Sequence, residues 1–207
     1  SLEAKILGHI ISNSKVMMDP EKISAIKYRI APKNVKELQQ FLGLCNYYRR
    51  FVKDYAKISH PMNELLRADE PFIWTQPREE AFKLLKEALV SYPILRQPDF
   101  SKTFTLYTDA SGYALGAVLT QNDEKGLEYV CAYASRVLKD AELNYGITEK
   151  ECLAVVWAVK QYRIYVYGTF FKIVTDHSAL MWLMKITDPV ARLARWAIYL
   201  QAYNFEI

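Results

Sequence analysis

The sequence predicts a mixed α/β protein, α+β overall, in which a small helical segment precedes a domain built on a mixed sheet. Three observations predict it. Apolar residues recur at helical spacing through 19–92 and at strand spacing from 104 onward. A turn-forming stretch, RQPDFSK at 96–102, separates the two patterns. The second half then reads βββαβααβ, a hairpin meander followed by a crossover helix and a further strand, which is a layered α/β arrangement.

In the first half, 5–18 (KILGHIISNSKVMM) reads as two short strands around a Ser-Asn-Ser turn. Asp19 is placed to cap a short helix with Pro20 at its first position, and Pro32 ends it. Asn34, with Glu37 three residues on, opens a long helix whose apolar face runs through Val35, Leu38, Phe41, Leu42, Cys45, Tyr48, Val52 and Tyr55. Pro61 starts another short helix through Leu66, and an amphipathic helix follows with Pro77 near its start and Pro93 beyond its end.

In the second half, 104–108, 112–121 and 127–136 read as strands. The stretch 148–168 reads as one long helix ending at Gly168. The stretch FFKIVTD is a fourth strand, two helices follow, and NFEI opens a fifth strand at the end of the chain.

Composition narrows the class. Of 207 residues, 51% are hydrophobic, enough for a packed core and too many for a disordered chain. No apolar run approaches the length of a membrane span, and the N-terminal stretch carries acid and base without a cleavage site. It lacks Met and already reads as a strand, so the sequence is expected to be the middle of a longer chain. Three cysteines, none close to another, argue for a reducing, intracellular setting over a disulfide framework or zinc knuckle. The whole net charge of +4 falls within residues 1–100, and the remainder is neutral, a distribution that suits a polyanionic partner.

Three acids occupy comparable places. Asp109 ends the first strand of the second half, Asp176 ends the fourth, and Glu149 or Glu151 lies in the first turn of the long helix. Chemistry in open α/β sheets collects beyond strand ends. Converging carboxylates repel unless cations lie between them, and hard oxygen donors suit Mg²⁺ or Mn²⁺. Each acid also has a structural reading. Asp109 would shape a turn, Asp176 would cap the next helix, and Glu151 lies at capping-box distance from Thr148. On a helical wheel both glutamates flank the apolar face of Cys152, Val155, Val156 and Val159, so periodicity leaves that choice open. His177, directly after Asp176, is a weaker candidate for contact with a phosphate or a plain helix-start residue. In the first half, Arg49, Arg50 and Lys53 alternate with Tyr47, Tyr48 and Phe51, the pattern of a solvated basic face or of a helix lying along phosphates.

The ordered set of LGHIIS, DPEKISAI, the 35–66 stretch VKELQQFLGLCNYYRRFVKDYAKISHPMNELL, FIWTQPREEAFKLLKEAL, TLYTDASGYALGAVLTQ, TEKECLAVVWAVKQYRIYVYG and VTDHSAL resembles the Pol polyproteins of Ty3/gypsy-type LTR retrotransposons over nearly the whole chain. The resemblance implies the end of a reverse transcriptase palm at 1–15, a helical thumb at 16–95 and an RNase H-like domain at 96–207 that is cut short inside its fifth strand. It implies that Asp109, Glu151 (not Glu149) and Asp176 are catalytic metal ligands, with a fourth aspartate on a helix past Ile207. It implies hydrolysis of the RNA strand of RNA/DNA hybrids with two Mg²⁺ or Mn²⁺ ions, leaving 3′-OH and 5′-phosphate ends, and recognition of the hybrid by backbone shape and the 2′-hydroxyl. Arg49, Arg50 and Lys53 would contact the template–primer duplex. Further implied partners are the rest of the polyprotein, fingers, palm and integrase, in a cytoplasmic virus-like particle with a nuclear phase and no membrane association. No Tyr-x-Asp-Asp tetrapeptide occurs, so the polymerase centre is expected outside this segment. Two other classes compete with the nuclease: a non-catalytic connection or spacer of the same fold, and a host-captured nucleic-acid-binding module. The three acids favour the enzyme.

Overall fold

The computed structural model of the chain describes residues 3–91, 94–175, 177–185 and 191–207. The chain divides into two compact units, Ser1–Gln97 and Pro98–Ile207.

The first unit holds an antiparallel sheet of β1 (Glu3–Ile6), β2 (His9–Ser12), β3 (Lys15–Met18) and β4 (Leu95–Arg96), in that order. The expected pair of strands is therefore three strands with two turns, and a fourth strand returns from the far end of the unit. The expected division points at 15/16 and 95/96 fall inside β3 and β4, which pair through Lys15↔Arg96 and Val16↔Leu95. A two-residue strand has no periodicity to read; Leu95 joins the sheet because pairing buries it beside Val16. The Asn13–Ser14 turn was legible, but the Leu7–Gly8 turn was not. Both its residues have positive φ, 47° and 73°, as a two-residue hairpin loop requires, yet leucine is a poor residue for that conformation. The turn is held from outside. Tyr47 OH and His9 Nδ1 donate to the Leu7 carbonyl, and Tyr48 OH (2.8 Å) and the Asp19 amide (3.1 Å) donate to that of Gly8. A Cβ at Gly8 would lie 3.0 Å from the Tyr48 hydroxyl.

The helices of this unit are α1 (Pro20–Lys27), α2 (Val35–Tyr47), α3 (Tyr55–Glu64) and α4 (Gln76–Val90). Asp19 Oδ1 accepts from Glu21 N and Asn34 Oδ1 from Glu37 N, so both expected caps form. The single long helix expected from Asn34 is instead broken. A 3-10 turn, Arg49–Phe51, follows α2, and Asp54 adopts φ 56° before α3 begins. Pro61 lies inside α3 and does not start a helix. Its ring removes one amide donor from the ladder. Tyr48, Phe51, Val52 and Tyr55 remain on the buried side across the break, which is why their spacing imitates a continuous helix.

The second unit is a five-stranded sheet in the order β7 (Glu128–Val137), β6 (Ala114–Asn122), β5 (Phe104–Ala110), β8 (Phe170–Val174), β9 (Asn204–Glu206). β5–β6 and β6–β7 are antiparallel; β5–β8 and β8–β9 are parallel. The expected meander, crossover and fifth strand are all present. The helices are α5 (Asp140–Leu143), α6 (Ile147–Gln161), α7 (Arg163–Val166), α8 (His177–Lys185) and α9 (Ala191–Gln201). The expected long helix thus ends at Gln161 and restarts as α7, and Gly168 (φ 75°) turns the chain into β8. The core joins Phe104, Leu106, Phe171 and Ile173 of the sheet to Cys152, Val155, Val156 and Val159 of α6 and to Leu180, Leu183, Leu193 and Leu200.

A fully buried amide secures the start of this unit. Gln121 Nε2 donates to the carbonyls of Asp99 (2.7 Å) and Lys102 (3.0 Å), and its Oε1 accepts from Asp99 N (2.9 Å) and Tyr129 OH (3.2 Å). The buried amide meets its hydrogen-bonding capacity and pins the loop before β5.

Candidate active site

β5 carries Asp109 on its last pair but one, exposed and opposite Gly116 of β6. Ser111 closes the bend into β6: its amide donates to Ala114 O (2.8 Å) and its Oγ accepts from Ala114 N (3.0 Å).

α6 carries the glutamates, and its direction matters. Its far end leads through α7 and a short turn into β8, so α6 runs antiparallel to β8 and to β5 beside it. Its first turns therefore sit over the C-terminal ends of those strands, where Asp109 lies. The helix starts two residues earlier than the Thr148 cap would place it, at Ile147 after Gly146. Glu149 Oε2 accepts from Gly146 N at 3.0 Å, and Glu149 Oε1 accepts from Arg192 Nη2 of α9. Burial alone would raise the Glu149 carboxyl, but the Gly146 amide and the Arg192 guanidinium outweigh it and hold it below the usual carboxylate range. Arg192 in turn lies over Tyr145, 3.9 Å from the ring centroid, and near Trp196. Both oxygens of Glu149 are thus engaged in fastening the helix. Glu151 is half-buried one turn before Val155, whose side chain is buried in the core that includes Leu106 of β5.

Asp176 lies outside the described residues. His177 opens α8. Among the described residues no group of three or more acids, histidines or cysteines is arranged to hold a metal ion. The donors contributed by Asp109 and Glu151 are carboxylate oxygens, the type that Mg²⁺ and Mn²⁺ take. Two buried hydroxyls directly precede the aspartates in sequence: Thr108 Oγ1 and Thr175 Oγ1 make no hydrogen bond among the described residues. Sequence reasoning missed these threonines and Arg192. The repeated Thr-Asp pair at 108–109 and 175–176 was a signal for the threonines. Arg192 lies 43 residues from Glu149, and no local pattern announces the pair.

The basic cluster of the first unit sits on the 3-10 turn and just after it. Arg49 and Lys53 are exposed and Arg50 is half-buried, while Tyr48, Phe51 and Val52 are buried behind them. Among the described residues, Arg50 Nε is buried without a hydrogen-bond partner. The three cysteines are buried, and burial pushes the Cys45 and Cys152 thiols up to about 12, so neither is a nucleophile at neutral pH.

A family model described as the RNase H-like domain found in reverse transcriptase matches residues 99–203. The chain belongs to that family. Its relatives are retroelement polyproteins. Over 99% of its length the chain is 45% identical to the retrovirus-related Pol polyprotein from transposon 297 of Drosophila melanogaster, of which it covers 19%. It is 41% identical, again over 99% of its length, to the transposon Tf2-3 polyprotein of Schizosaccharomyces pombe, of which it covers 16%. The chain therefore spans less than a fifth of these relatives. Among solved structures, the foamy viral protease-reverse transcriptase dRH in complex with dsDNA shares the fold, with TM-score 0.79 and 23% identity over 100% of this chain and 38% of that one. The same enzyme in complex with an RNA/DNA hybrid superposes with TM-score 0.77 at 23% identity, over 99% of this chain and 29% of that one. The RNase H-like domain of this retroelement Pol segment thus occupies the second unit.

Proposed function

We propose that the second unit is the ribonuclease H centre of a retroelement reverse transcriptase, hydrolysing the RNA strand of RNA/DNA hybrids, and that the first unit is a thumb-like segment that binds the duplex. One observation carries the nuclease reading. Ser111 closes the turn after Asp109, and Glu149 reaches back to the Gly146 amide and ties the start of α6 to Arg192. Asp109 and Glu151 then lie on elements that pack together at the C-terminal edge of the sheet, where chemistry in such folds collects.

Asp109, Glu151 and Asp176 would hold the divalent ions, which supply an activated water and neutralise charge on the phosphodiester. The chain's own contribution is placement. The strand ladder sets the Asp109 backbone, and the Gly146–Glu149–Arg192 contacts set the first turn of α6 and with it Glu151. Arg49, Arg50 and Lys53 would neutralise backbone phosphates without reading sequence. The foamy viral structures are complexes with dsDNA and with an RNA/DNA hybrid, which supports nucleic acid as the partner class.

The test is cleavage of a labelled RNA/DNA hybrid in Mg²⁺ and in Mn²⁺ by the reverse transcriptase chain carrying this segment. Asp109→Asn keeps the shape and weakens one ligand, and it is expected to slow cleavage about 100-fold or more, ~2.7 kcal/mol in barrier. Full activity in that variant would remove Asp109 from the centre. Silence of the unaltered chain would move the assignment to a spacer that holds the hybrid without cutting it.

A further inference from the structure

The parallel ladder of β5 and β8 ends at Tyr107↔Val174. The next residue after each is a threonine, Thr108 still within β5 and Thr175 just past the end of β8, and the one after that in sequence is an aspartate. Thr108 and Thr175 therefore stand side by side at the point where the sheet delivers Asp109. Two residues back on each strand, Leu106 and Ile173 are buried in the core that α6 covers. Thr108, by strand alternation, faces α6 as well. Both hydroxyl oxygens are shielded from solvent and make no hydrogen bond among the described residues. Buried hydroxyls without partners are rare in native proteins and call for a reason. Valine would fill the same space without the desolvation cost, so packing does not supply that reason.

The element above them suggests one. α6 runs antiparallel to β5 and β8, and Glu151 lies one turn before Val155 on the sheet-facing side. Its carboxylate thus belongs to the same end of the sheet as the two hydroxyls. We infer that Thr108 and Thr175 are positioning residues: when a divalent ion draws the Glu151 carboxylate into the site, their hydroxyls donate to that carboxylate from the sheet side and orient it. Outer-shell donors of this kind hold ligating carboxylates in place, and their loss weakens metal binding while leaving the ligands themselves intact. The inference rests on the nuclease reading and adds two residues to it.

The experiment is a Mn²⁺ titration followed by electron paramagnetic resonance, with metal-free thermal melting alongside, on the reverse transcriptase chain that carries this segment. The Thr108→Val/Thr175→Val pair is expected to weaken Mn²⁺ binding about 10- to 100-fold, with the metal-free melting temperature unchanged or raised. Thr108→Ser/Thr175→Ser, which keeps both hydroxyls, is expected to retain wild-type affinity. Unchanged affinity in the valine variant overturns the inference. So does a loss of affinity that follows a fall in metal-free melting temperature, or one that the serine variant shares. Failure of the nuclease reading looks different: the unaltered chain then shows no Mn²⁺ binding that Glu151→Gln weakens, and both proposals fall together.

Discussion

The sharpest backbone in the first unit, the Leu7–Gly8 turn, is held by two tyrosine hydroxyls 40 residues away, whereas the loop that opens the second unit is held by one buried amide, Gln121. The difference follows from what surrounds each anchor. Tyr47 is half exposed, whereas Tyr48 is buried, its ring edge-on to His9 and Phe51. The first unit anchors its irregular backbone with one exposed and one buried tyrosine, and carries exposed positive charge beside them at Arg49 and Lys53. The second unit closes its polar anchors inside, as Gln121 does and as Glu142 does with Arg136 (2.6 and 3.0 Å) and the Lys139 amide. An acid such as Asp109 is then presented from a rigid strand. A surface suited to a polyanion and a frame suited to holding ligands are different constructions, and the chain contains one of each.

The largest expected effect on this comparison is in the second unit. Gln121→Leu leaves the Asp99 and Lys102 carbonyls and the Asp99 amide without their partner in a buried place, and should destabilise that unit by about 3 kcal/mol. Denaturant melts followed by hydrogen exchange in each unit would show whether the first unit is spared. Loss in both units together would erase the contrast. Next comes the basic turn. Arg49→Ala/Arg50→Ala/Lys53→Ala is expected to weaken hybrid binding about tenfold and to lower the salt slope by roughly 2 to 3, with cleavage at saturating substrate little changed. Salt titrations of hybrid affinity check it, and an unchanged slope would deny the first unit its binding role.

Smaller effects probe the first unit's anchors. Tyr48→Phe removes the donor to the Gly8 carbonyl and should cost about 1 kcal/mol of first-unit stability in an equilibrium melt. The smallest is a pH effect. Lys5 (2.8 Å away) holds the Asp19 carboxyl below its ordinary range, against the opposing pull of burial and with help from the Glu21 amide. A depressed carboxyl contributes stability that is present above its unfolded pKa and lost as pH falls through the lower folded value. Acid melts of the first unit should therefore steepen below about pH 4, and Asp19→Asn should flatten that limb.

Where local chemistry decides a feature, the sequence was sufficient. The caps at Asp19 and Asn34, the Asn13–Ser14 turn, the meander and the crossover helix all rest on residues within a few positions of one another. The order of motifs was enough to place the chain among retroelement Pol proteins. Features set by distant partners were not legible. The helix expected to run on from Asn34 ends at Tyr47, passes through a 3-10 turn and an extended Val52, and resumes after a left-handed Asp54, while the buried face continues across the break. The Leu7–Gly8 turn exists because tyrosines on α2 and beside it catch its carbonyls. The helical wheel could not separate Glu149 from Glu151, since both flank the apolar face. Tertiary structure gave Glu149 a structural duty by bringing Arg192 from α9 onto it. Periodicity reports which face of an element is buried; which polar group meets which depends on chain segments far apart in sequence, and only the packed fold brings those together.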